Sequence, residues 1–203
     1  MIFLLLAICF ATINSSYSSF ITVYGDVFKD TEFFNRTYPW IVDNIGGEIS
    51  VEYTLIGSGR YSVPHMCVLN ELNGNTFLQA QYLKCEAQGN PSAYCLCESG
   101  VDPTEFKQCV ASGGFLASTA AARYTQLGVD ITPVIELWPE NTISGEDDAG
   151  YLKKICEVFG DMPPRGCVNP VPITQGESFL GKKAIAQFDR ECHKEFPDSC
   201  DVE

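Results

Sequence analysis

The chain is short of positive charge, of histidine and of long apolar runs. Its 203 residues carry 13 lysines and arginines against 26 aspartates and glutamates, a formal net charge of −13. A nucleic-acid binder needs a basic face, and anionic lipid attracts the same charge, so neither partner class fits this balance. There are two histidines, His65 and His193, and neither stands in a recognisable setting for a Cys–His nucleophile. Zinc is no better served. Cys95, Cys97, Cys192, His193 and Cys200 do not reproduce zinc-ligand spacing, and no metal or cofactor is expected. Gly57–Arg60 (GSGR) and Gly176–Lys183 (GESFLGKK) are too degenerate to cradle phosphate. No segment beyond the N-terminus is apolar for long enough to span a bilayer. No two cysteines are spaced Cys-x-x-Cys.

What is present points to a globular, exported chain. Hydrophobic residues make up 45% and charged residues 19%, enough for one domain with a good core, or one domain plus an insertion. The excess acid reads as solubility. Residues 1–18 read as a secretory signal peptide: an apolar run over Ile2–Ala11, then small residues with Ser16 and Ser18 placed for cleavage. An uncleaved anchor is the rival reading. Removing the signal removes Cys9, so ten cysteines become nine. In an oxidising compartment that predicts a disulfide framework with one sulfur left over. Asn35-Arg36-Thr37 is a glycosylation sequon consistent with the same route, whereas Asn90-Pro91-Ser92 is blocked by its proline. The expected location is the secretory pathway, ending in a lysosomal or endosomal lumen or outside the cell.

Ser19–Val27 (SFITVYGDV) is β-branched and aromatic and predicts a buried strand. Phe33, Phe34, Tyr38, Ile41 and Val42 recur at helical spacing, which predicts a helix over Asp30–Asp43 with a kink or break at Pro39. Glu48–Gly57 alternates as a strand does. About 65–125 reads as a helical insertion laced by cysteines. Ile131–Pro139 predicts a strand, Asn141–Ile143 a short strand or turn, and Glu146–Phe159 a helix capped by Ser144. This is the order of a thioredoxin-like α/β fold over 19–160, with a helical disulfide-rich insertion and a Pro/Cys-containing C-terminal tail over 161–203. Cys85, Cys95, Cys97 and Cys109 are expected to pair within the insertion, and Cys156–Cys167 and Cys192–Cys200 locally. Cys67 is the candidate for the unpaired sulfur, buried and inert or else reactive.

Four stretches together resemble the gamma-interferon-inducible lysosomal thiol reductase family. Ile21–Gly59 is similar to its first strand, active-site helix and second strand. Glu71–Asn75 (ELNGN) resembles the end of its signature, Gln108–Gly114 (QCVASGG) the stretch before its last core strands, and Tyr151–Cys167 its final helix and closing cysteines. The resemblance implies a thioredoxin-like fold and a catalytic Cys-x-x-Cys at Phe28 and Thr31. Both sulfurs are missing, and the signature's second cysteine falls on Leu72. The resemblance also sets Thr132-Pro133 where such folds present backbone to an extended peptide.

Reduction of a disulfide needs a thiolate to attack and a second thiol to resolve the mixed species. Neither a phenyl ring nor a hydroxyl can do this. The expectation is therefore a pseudo-reductase that binds a protein partner or serves as a structural subunit. Two alternatives stand beside it. One is an active oxidoreductase using Cys95/Cys97 or Cys67. The other is a carrier of small apolar ligands, with a deep apolar pocket beside Phe28.

Overall fold

A computed structural model of the chain describes residues 19–138 and 141–173. The expected signal peptide, the pair Cys192–Cys200 and His193 lie outside the described residues. Strand β1 (Ser19–Gly25) is buried from Ile21 through Gly25, on both faces at once. A strand covered on both sides is what its unbroken β-branched and aromatic run demands. It pairs in parallel with β2 (Ile49–Leu55), Ser19 facing Ile49 and Gly25 facing Leu55. A parallel pair needs a crossover, and the helical segment of 31–45 supplies it. On the other side β1 runs antiparallel to β3 (Val134–Leu137), and β3 antiparallel to β4 (Asn141–Ser144). The sheet order is β2-β1-β3-β4.

The crossover begins with a π turn over Phe33–Thr37 and continues as α1 (Tyr38–Ile45). The expected break at Pro39 does not occur there. Pro39 sits in the first turn of α1, where its missing N–H costs nothing. The irregularity moves one turn upstream, where the Tyr38 N–H donates to the Phe33 carbonyl across a widened turn. Phe34, Tyr38, Ile41 and Ile45 from this segment are fully buried with Ile21, Val23 and Ile135 of the sheet.

Five helices separate β2 from β3: α2 (Gly59–Glu71), α3 (Thr76–Ala87), α4 (Ser92–Ser99), α5 (Pro103–Ser112) and α6 (Gly114–Gln126). Cys67 of α2 is bonded to Cys109 of α5, so the sulfur expected to be unpaired is not. Cys109 therefore does not pair with Cys85, Cys95 or Cys97. Cys85 of α3 is bonded to Cys95 of α4, and Cys97 is disulfide-bonded as well. After β4 the chain forms α7 (Asp148–Cys156), a 3₁₀ turn (Glu157–Phe159) and α8 (Arg165–Val168), with Cys156 bonded to Cys167. The cap of α7 is Asp147, whose carboxylate accepts from Gly150 N at 2.7 Å, and not Ser144. Ser144 ends β4, opposite Val134, so pairing in the sheet takes it before it can cap a helix.

Candidate functional site: the mouth around Phe28

Two carboxylates shape the turn between β1 and the crossover helix. Asp26 Oδ1 accepts from the Phe28 and Lys29 amides, at 3.0 and 3.3 Å. Asp30 Oδ2 accepts from the Asp26 amide at 2.8 Å, and Asp30 Oδ1 accepts from the Thr132 hydroxyl at 3.0 Å. The turn amides are thus already engaged by carboxylate oxygens. In a thiol-dependent site, amides at such a helix start would be free to favour a thiolate. Phe28 and Thr31 are both exposed beside this turn. Asp30 is buried between them.

The Asp30 latch joins the turn to the loop before β3. The Thr132-Pro133 bond is cis. Thr132 and Pro133 are half-buried and Ile131 is exposed. Tyrosines hold the flanking carbonyls: Tyr124 donates to Ile131 O at 2.7 Å, and Tyr151 to Pro133 O at 3.4 Å.

Phe28 stands at the head of a file of rings running inward. Its ring centroid is 5.0 Å from that of Tyr61, edge-on, and 5.5 Å from that of His65. The Arg60 guanidinium lies over Tyr61 at 5.7 Å. His65 meets Tyr82 at 5.9 Å, and its Nε2 is 3.5 Å from Glu86 Oε2. Glu86, only 1% exposed, also accepts from the Ser92 hydroxyl at 3.1 Å. The Phe28 side chain therefore stands over a buried His–Glu pair. Sequence reading missed this pair, because its members lie 21 positions apart on successive helices and no local pattern links them.

The sulfurs suggested for alternative redox work are placed differently. Cys95 is fully buried and bonded to Cys85, so Cys95 and Cys97 do not form a disulfide with each other. Cys67 is also buried and bonded. Every cysteine among the described residues is in a disulfide. Asn35, the sequon residue, is exposed on the π turn, and its side-chain oxygen accepts from Gln88 Nε2 at 3.0 Å. Among the described residues no cluster of three or more metal-ligating side chains occurs. No described helix is long and apolar enough to cross a membrane.

Burial holds the Asp30 carboxyl above the ordinary aspartate value, even though the Asp26 amide and Thr132 hydroxyl pull it down. Within that window the folded chain keeps a proton that the unfolded chain has released. Stability from this group is present on the acid side and lost as pH rises through the folded value. The melting temperature of the native chain minus that of Asp30→Asn is therefore expected to increase between about pH 7 and about pH 4. A difference that stays flat, or shrinks on acidification, would show that Asp30 is not the buried acid described.

No family model matches this chain, and no curated protein matches it. Among solved structures, reduced DsbA from Mycobacterium tuberculosis superposes with a TM-score of 0.53 at 17% identity, covering 71% of this chain and 84% of that chain. At that identity the likeness concerns architecture, and it agrees with the sheet order and the helical block between β2 and β3: the chain has a thioredoxin-like fold with a helical insertion, as DsbA does.

Proposed function

We propose that this chain is a divergent relative of the thiol–disulfide oxidoreductases, akin to the gamma-interferon-inducible lysosomal thiol reductases, that no longer exchanges disulfides and instead binds a protein partner at the mouth around Phe28. The observation that carries this reading is the exposed phenyl ring and hydroxyl of Phe28 and Thr31 at the start of the crossover helix. DsbA-type chemistry depends on a low-pKa thiolate and its resolving partner. Neither atom can be supplied by these two side chains.

The mouth has the makings of a contact surface. Phe28, Tyr61 and Ile131 are 44%, 47% and 47% exposed. Apolar and aromatic anchors of this kind dominate binding energy when a partner covers them. The half-buried backbone at Thr132 offers main-chain hydrogen bonds to an extended segment. Disulfides within the insertion and the exposed sequon at Asn35 suit a glycoprotein of the secretory pathway, luminal or extracellular.

A photo-crosslinking phenylalanine analogue placed at residue 28 tests the contact directly. It is expected to capture one protein from the chain's own secretory extract, and Ile131→Asp is expected to reduce that capture by ~10-fold, the scale of a lost interface anchor. Capture that is absent, or indifferent to Ile131→Asp, would rule out this mouth as the contact.

A further inference from the structure

Seven cysteines lie among the described residues, and all seven are in disulfides. Seven is odd. Three bonds join six of them: Cys67–Cys109, Cys85–Cys95 and Cys156–Cys167. The seventh, Cys97, is therefore bonded to a sulfur of this single chain that lies outside the described residues. Outside them the sequence holds Cys9, Cys192 and Cys200. On the secretory reading, Cys9 leaves with the signal peptide. The partner is then one of the two residues whose spacing favours a local pair with each other. A Cys192–Cys200 bond would leave Cys97 without a partner, so the two pairings exclude one another.

Cys97 follows Cys95 by two residues on α4, about 200° around the helix, so it faces away from the bond that ties α4 to α3. It is only 7% exposed. A bond to so covered a sulfur needs a partner whose own surroundings pack against α4. Ile185, Phe188, Cys192 and Phe196 recur at steps of three and four, the spacing of an apolar helix face. Cys200 instead follows Pro197-Asp198-Ser199 and precedes Asp201, residues that favour solvent. About 19 residues separate Ile173 from Cys192. At roughly 3.3 Å each they span about 60 Å, enough to reach any part of a domain whose radius of gyration is about 15 Å.

We infer that Cys97 is bonded to Cys192, which anchors the C-terminal extension on the helical insertion and makes Cys200 the chain's odd sulfur. Forming the bond removes one hydrogen from each thiol. The two electrons and two protons pass to the disulfide of a luminal thiol–disulfide oxidant, which leaves as a dithiol. Cys200 then has no partner within the chain. Its thiolate is open to attack on a disulfide of a second molecule, forming a mixed disulfide and releasing that molecule's other sulfur as a thiol. With no resolving thiol beside it, such a sulfur adds no catalytic turnover. The inference uses the secretory reading only for the loss of Cys9, and it is independent of the mouth at Phe28.

The test is peptide mapping of the full chain as secreted, alkylated before digestion and kept unreduced. Trypsin cuts after Arg190 and Lys194 separate Cys192 from Cys200, and cuts after Lys84 and Lys107 release the segment that holds Cys85, Cys95 and Cys97. The expected species joins 85–107 to 191–194. The 195–203 peptide is expected either alkylated at Cys200 or carrying a second molecule through a disulfide. Cys200→Ser is expected to leave the joined species unchanged, and Cys192→Ser to abolish it. A species joining 191–194 to 195–203, a species joining 85–107 to 195–203, or Cys97 recovered alkylated overturns the inference. So does a bond from Cys97 to a peptide containing Cys9, which would also show that the signal is retained and so separates failure of the secretory reading from failure of the pairing.

Discussion

Phe28→Cys combined with Thr31→Cys is expected to install thiol–disulfide exchange at the mouth, where the proposed reading has none. The fold places both positions together at the mouth. A turn leaves β1 and enters a helix, with positions 28 and 31 exposed at its start. The cis Thr132-Pro133 loop stands across from them, tied by the Thr132–Asp30 hydrogen bond. A sulfur at 28 would replace a ring that contacts His65. Turnover of a disulfide peptide by the double variant is expected to exceed the native background by ~100-fold, since attack and resolution both become possible. Phe28→Cys alone is expected to accumulate a mixed disulfide without sustained turnover, because no resolving thiol stands at 31. A double variant that folds, forms its new disulfide and still shows only background turnover would mean that the mouth lacks more than its sulfurs.

The second large effect concerns the insertion. Removing the Cys67–Cys109 bond by paired alanine substitution is expected to cost about 4 kcal/mol, the loop-closure value for a separation of 42 residues. The bond ties α2 to α5 and is buried at Cys67. For a chain of this size that corresponds to a melting-temperature loss of roughly 8–16 °C. Cys85–Cys95 closes a loop of only 10 residues, and about 3 kcal/mol is expected from its removal. Thermal unfolding of the two paired variants gives the comparison. If the shorter loop proves the more costly to open, packing around its sulfurs outweighs chain entropy.

The central layer of the fold was readable because its signals are local. β1 carries an unbroken β-branched and aromatic run, the crossover repeats Phe33, Phe34, Tyr38 and Ile41 at helical spacing, and β2 alternates. Errors arose where two local signals compete and tertiary structure decides. Ser144 and Asp147 are both good caps, and pairing of β4 with β3 assigns the role to Asp147. Pro39 reads as a breaker anywhere inside a helix, but a π turn before it makes it a first-turn residue. Disulfide pairing is less legible still. Spacing favours near neighbours, yet Cys67 finds its partner 42 residues away because α2 and α5 pack together. At the mouth, the absence of sulfur was visible from two positions alone. Burial of Asp30, its latch to Thr132 and the His65–Glu86 pair beneath Phe28 exist only once distant segments meet.

The most direct measurement is disulfide-peptide reduction by the native full-length chain, driven by a small dithiol at neutral and at acidic pH, with an alkylating trap for any reactive cysteine. The expected rate equals that of the dithiol alone at both pH values. Acceleration over the dithiol, together with a trapped cysteine whose replacement by serine abolishes it, would contradict the loss of redox function and make this chain a working oxidoreductase.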